Sequence, residues 1–67
     1  MTIYIVFNKD DEIISIHKNR EYAMQIAKDY IRTFSFTEED LAECLEMLTE
    51  DGYVDDLVWI EEHEVND

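Results

Sequence analysis

Proline is absent from this 67-residue chain, and glycine and cysteine occur once each, as Gly52 and Cys44. A single cysteine forms no intrachain disulfide. A single glycine excludes a glycine-rich phosphate loop and a nucleophile elbow. His17 and His63 stand 46 positions apart and make no zinc motif. The longest apolar runs, Ile3–Phe7 and Leu57–Ile60, are five and four residues, far short of a membrane span. The N-terminus shows neither a basic n-region nor an apolar h-region, so no signal peptide is expected. A reducing cytoplasm is the simplest compartment. Repeats and low-complexity linkers are also missing, and residues 1–67 read as one small domain.

Basic residues are the most telling scarcity. Lys and Arg total five against eighteen Asp and Glu, for a formal net charge of −13. All five (Lys9, Lys18, Arg20, Lys28, Arg32) lie in the first 32 positions. Asp10, Asp11, Glu12, Glu21 and Asp29 balance them there. Residues 35–67 hold the remaining thirteen acids and no Lys or Arg. Direct nucleic-acid binding needs cations to neutralise phosphates, so this charge argues against it. An anionic membrane surface is disfavoured on the same ground. Disorder does not follow, because 46% of the residues are hydrophobic, an ordinary share for a globular chain.

What is present reads as an α+β domain in the order β-β-α-α-β. Residues 2–8 are β-branched and aromatic, with Ile3, Ile5 and Phe7 on one face and Tyr4 and Val6 on the other. Residues 13–17 resume strand character after a polar break, which suggests a hairpin. Asn19 is a helix N-cap. Tyr22, Ala23, Ile26, Ala27, Tyr30, Ile31 and Phe34 then form one helical face, predicting a helix over 20–33. Thr37 with Asp40 approaches a capping box, and Phe36 with Leu41 has the spacing of a hydrophobic staple. Leu41, Cys44, Leu45 and Leu48 continue as an apolar stripe, and Gly52 supplies a left-handed stop, predicting a helix over 38–50. Residues 53–65 read as one further strand, with a turn or bulge at Asp55-Asp56. The expected architecture is a small three-stranded sheet with two helices packed on one face. Sequence leaves the strand order open.

Catalysis finds little support. Cys44 falls on the apolar stripe and reads as a small core residue rather than a nucleophile. Solvated surface acids lack the burial that tunes a catalytic pKa. The chain is therefore not expected to be an enzyme, and no cofactor is implied. The acid-rich window 51–62 fails as a calcium loop, because Gly52 sits at loop position two where the pattern needs position six. No metal site is expected.

The acids of the second helix are better ordered. Glu39, Glu43, Glu46 and Glu50 recur at i, i+4, i+7 and i+11, so they form one stripe. Neighbours in it lie about 4.5–6 Å apart along the axis. That is roughly the scale of successive phosphates on a DNA strand. Asp51, Asp55, Asp56, Glu61, Glu62 and Glu64 could extend the array. Like charges at i,i+4 each cost a helix about 0.2–0.5 kcal/mol. Solubility alone would explain a net negative charge. It does not require one half to lose every base while the other stays neutral. A surface shaped to meet a strongly basic protein face is the sharper explanation. Trp59 reads as core, with an interface anchor as the alternative. Tyr53 could supply a rim contact, and Tyr4 packs within the domain.

The segments Ile3-Tyr4-Ile5-Val6-Phe7, Glu12-Ile13-Ile14, Glu21-Tyr22-Ala23 and Trp59-Ile60-Glu61-Glu62-His63-Glu64-Val65 resemble a class of small acidic phage-encoded proteins. In size and charge the chain is similar to those that imitate DNA and block the nucleoid protein HU. The resemblance implies a role in host takeover within the bacterial cytoplasm, at the nucleoid through a basic DNA-binding partner. It carries over no individual residue. A second reading is an inhibitor or adaptor of a host enzyme, such as RNA polymerase or a defence nuclease, binding through Trp59, Tyr53 and an open sheet edge. A third is a homodimer whose acid face is only solvated.

Overall fold

Local signals set most of the element boundaries. The computed structural model describes residues 1–66. Its elements are β1 (Thr2–Asn8), β2 (Ile13–His17), α1 (Arg20–Arg32), α2 (Glu38–Asp51), β3 (Tyr53–Val54) and β4 (Val58–Glu64). In the β1–β2 turn, Asn8 Oδ1 accepts from the backbone N–H groups of Asp10 and Glu12, at 2.9 and 3.1 Å. That clamp holds Asp11 at φ 62°, a left-handed conformation that Asp tolerates. Asn19 caps α1 by accepting from the Glu21 N–H at 2.7 Å. Thr37 Oγ1 caps α2 by accepting from the Asp40 N–H at 3.1 Å. Gly52, at φ 77°, ends α2 and donates its N–H to the Leu48 carbonyl at 2.9 Å.

The domain is α+β, and its sheet has four antiparallel strands rather than the expected three, in the order β2-β1-β4-β3. The difference arises in residues 53–65, which are two strands and not one. Asp56 adopts φ 59°, and the Leu57 N–H closes the turn on the Val54 carbonyl at 3.1 Å. The chain thereby reverses, and β3 pairs back on β4. β1 is central, hydrogen-bonded to β2 on one side and β4 on the other, so it has no open edge. The free edges belong to β2, to the short β3 and to the part of β4 beyond Ile60, which β3 does not reach.

Alternation along β1 and β4 then decides which side chains meet the helices. Val6, Val54 and Val58 point to the helix side and join Ala23, Met24, Ala27, Ile31, Leu48 and Leu57 in the buried core. Tyr4 and Ile60 pack against that core from the same side. α1 spans β1, β2 and β4, whereas α2 packs on α1 and β3. The molecule measures 44 × 22 × 16 Å, and its thinnest dimension fits one sheet under one helix layer. Within α1 the core face centres on Ala23, Ala27 and Ile31 with Met24 beside them, and Tyr22 is 67% exposed. Tyr22 therefore lies off the face that its spacing suggested.

Candidate protein-binding surfaces

Two surfaces stand out, one carboxylate-rich and one apolar, on different parts of the fold. α2 carries Glu38, Glu39, Asp40, Glu43, Glu46, Glu50 and Asp51, all of them exposed. Its half-buried Leu41, Cys44 and Leu45 and fully buried Leu48 turn the other side inward. Because the helix is regular, the stripe Glu39, Glu43, Glu46 and Glu50 faces solvent along its length. Among the described residues no α2 carboxylate has an ion-pair partner. Glu38, Glu39 and Asp40 suit the positive end of the helix dipole. Glu50 and Asp51 oppose its negative end, where no basic residue offsets them. Burial first, then Glu43 and Asp40, push the Cys44 thiol up. The thiolate needed for nucleophilic chemistry is thereby disfavoured.

The remaining acids of the expected array do not form one surface with this stripe. Asp51 closes α2, and Asp55 and Asp56 are exposed in the β3–β4 turn nearby in sequence. β4 then runs away from that turn. Glu64, six residues beyond Val58, is about 20 Å further along it. There it accepts from the Thr2 hydroxyl and lies 3.9 Å from the N-terminal amine. Glu62 is on the helix side of β4 beside Tyr4. Burial, then the Glu62 carboxylate, push the Tyr4 phenol up. Glu61 points the opposite way, to the sheet face without helices.

Sequence reasoning reached that uncovered face only in part, through Trp59 and Tyr53 in its second reading. Register places Phe7 opposite Ile13 on one side and Trp59 on the other, and Trp59 opposite Tyr53. A row Ile13–Phe7–Trp59–Tyr53 therefore crosses all four strands. Phe7 and Trp59 stack with ring centroids 5.5 Å apart and planes at 18°. The adjacent row pairs Ile16 with Ile5. A bulge adds Ile14 between these two rows, so Ile13 and Ile16 share the open face while Ile14 packs toward the core. Ile13 is 55% exposed, Ile16 54% and Tyr53 46%. Trp59 is thus half-buried on an open sheet rather than part of the core. The available signal was β1 itself, apolar on both faces in a chain with only enough helix to cover one.

Glu61 is the one carboxylate that the strands turn toward this face. Its Oε2 accepts from Trp59 Nε1 at 2.8 Å, and its Oε1 lies 3.0 Å from His63 Nε2. The Trp59 bond, then His63, hold the Glu61 carboxyl below the usual carboxylate range. A folded-state pKa below the unfolded one adds stability above the unfolded pKa. That contribution is lost as pH falls through the folded value. Trp59→Phe keeps the ring stack and removes the donor. Its Glu61 carboxyl is expected to titrate at higher pH than in the parent chain, measured by side-chain carboxyl NMR. An unchanged midpoint would show that the indole does not hold it.

Among the described residues no enclosed pocket opens, and no group of three His, Cys, Asp or Glu side chains is placed to hold a metal. No helix among them is long and apolar enough to cross a membrane. The chain matches no known family model, no curated protein and no solved structure.

Proposed function

We propose that this protein is a DNA mimic that binds a basic nucleic-acid-binding protein and occludes its DNA-binding face. An HU-like nucleoid protein is the first candidate. The observation that carries the reading is the α2 stripe, whose carboxylates are all exposed and have no ion-pair partner among the described residues. Their axial spacing of about 4.5–6 Å suits a site built for a phosphate backbone. Glu39, Glu43, Glu46 and Glu50 act as phosphate substitutes. Asp51, Asp55 and Asp56 continue the charge past the helix end. Glu61, Glu62 and Glu64 lie outside that contact.

Binding of this kind is an exchange of one polyanion for another. A purified HU-like protein is expected to bind the chain at low salt and to release it when duplex DNA is added. Affinity should fall at least about tenfold as salt is raised through the range where the Debye length shrinks below about 8 Å. Titration calorimetry at graded NaCl reads both effects. Affinity indifferent to salt and to competing DNA rules the mimic out.

The aromatic row on the open sheet favours a second reading, an inhibitor of a host enzyme that docks through Trp59 and Tyr53. In that case Tyr53→Ala weakens binding more than neutralising the α2 acids does.

A further inference from the structure

We propose that a second copy of this chain covers the open sheet face, two sheets packing face to face with their strands antiparallel. The face carries Ile5, Phe7, Ile13, Ile16, Tyr53 and Trp59, four of them in one row across the sheet. An apolar sheet face of this kind buries itself well against another sheet.

Charge placement selects the occupant. Two chains of net charge −13 repel unless they meet where carboxylates are few. Glu61 is the one acid the strands turn toward this face, and both its oxygens are engaged, by Trp59 and His63. The α2 acids belong to the opposite side of the sheet. Face-to-face packing therefore points the two acid stripes outward. Each protomer is 16 Å through its thinnest dimension. The stripes are then separated by more than the Debye length of about 8 Å at physiological salt. A strongly basic partner has no comparable reason to choose this face.

The same reasoning fixes the strand direction. Asn8 pairs with Val58, so the β1–β2 and β3–β4 turns lie at one end of the sheet. Asp10, Asp11, Glu12, Asp55 and Asp56 gather at that end against the single cation Lys9. Antiparallel stacking sends the two acidic ends to opposite sides of the dimer, about 20 Å apart along the strands. Parallel stacking would superpose them.

The sheet is about 19 Å across four strands and about 23 Å along its longest, and β3 adds only two residues. Two such faces bury less than about 900 Å² in total, below the roughly 1,200 Å² where stable specific interfaces begin and within the range of transient ones. The dimer is accordingly a transient, concentration-dependent one.

Sedimentation velocity of the full chain, from about 10 to 500 µM, tests it. The dimer fraction should rise with concentration. It should also rise between low salt and about 0.5 M NaCl, because screening removes residual repulsion. Partner binding through α2 has the opposite salt dependence, so the two readings fail separately. Ile16→Lys and Tyr53→Lys lie on opposite edge strands at exposed positions. Each should weaken self-association at least about tenfold with an unchanged circular dichroism spectrum. Glu43→Lys should leave it intact. A monomer at every concentration in high salt overturns the proposal. So does a dimer that both lysine variants retain at parental affinity.

Discussion

Replacing Glu43 and Glu46 together by lysine is expected to weaken binding to a basic partner by about 100-fold or more and to raise the stability of the free chain. Both effects come from one change of charge on α2. In the parent helix Glu43 has like charges at i−4, i−3 and i+3, namely Glu39, Asp40 and Glu46, and Glu46 has Glu50 at i+4. The double variant turns three of these contacts into attractions and keeps one repulsion, now between the two introduced lysines. At about 0.2–0.5 kcal/mol for each sign, the three reversals together gain about 1–3 kcal/mol. In a domain of this size each kcal/mol is a rise of about 4–8 °C in melting temperature. At the interface the same lysines face a cationic surface. Like-charge juxtaposition costs several kcal/mol, and about 3 kcal/mol is the 100-fold loss. Glu12→Lys with Glu21→Lys changes the net charge equally but lies outside the stripe. If that pair weakens binding as much, total charge and not the α2 array governs recognition. Calorimetric binding and thermal unfolding of both double variants decide it.

This opposition between stability and binding fits a helix whose local chemistry was legible in the sequence. Asn19, Thr37 and Gly52 act within a few residues of themselves, so their capping roles follow from residue type and spacing. The inward stripe of α2 and the outward carboxylates also follow from the 3.6-residue period alone. Residues 53–65 were harder. Tyr53–Val54 is a strand of only two residues, too short to show alternation. What separates it from β4 is the left-handed Asp56, and Asp marks a turn less clearly than Gly. Trp59 was misplaced for a related reason. Leu57, Val58, Trp59 and Ile60 are a continuous apolar run, and such a run does not say which alternate residue meets a helix. The answer depends on partners distant in sequence: Val58 pairs with Val54 on the helix side, and Trp59 pairs with Phe7 on the other.

The acid array shows the same division between local and nonlocal information. Glu39 to Glu50 share a helix face because the helix alone places them. Glu61 and Glu62 are neighbours in the sequence yet occupy opposite faces of the sheet, since the side-chain period in a strand is two. Charge counting treats them as one patch. Register puts Glu61 in a hydrogen-bonded trio with Trp59 and His63, and Glu62 beside Tyr4. The functional reading accordingly contracts from ten acids to the α2 stripe and the residues that follow it closely.

Leu48→Ala is expected to cost about 2–5 kcal/mol and to leave α2 largely unfolded at 37 °C. Leu48 is the one fully buried side chain of that helix, and Leu41, Cys44 and Leu45 are only partly covered. Removing its side chain loses transfer free energy and opens a cavity beneath α2. A core of this size rarely supplies more than about 3–5 kcal/mol in all. The helix has no reserve of its own, because its seven acids have no ion-pair partner among the described residues and no basic residue stands in its last turn. Packing on α1 and β3 must therefore hold it. Urea unfolding followed by circular dichroism should show lost helicity and an earlier midpoint. Leu48→Met, which keeps the volume, should cost less than about 1.5 kcal/mol. Added NaCl should partly restore the alanine variant by screening the acids against one another. Every carboxylate of the stripe survives in Leu48→Ala, but the spacing that α2 imposes on them does not. Partner binding should therefore fall with helicity although the charge is unchanged. If binding persists at parental strength while α2 is unfolded, recognition needs only the charge and not the geometry that makes the stripe resemble a phosphate backbone.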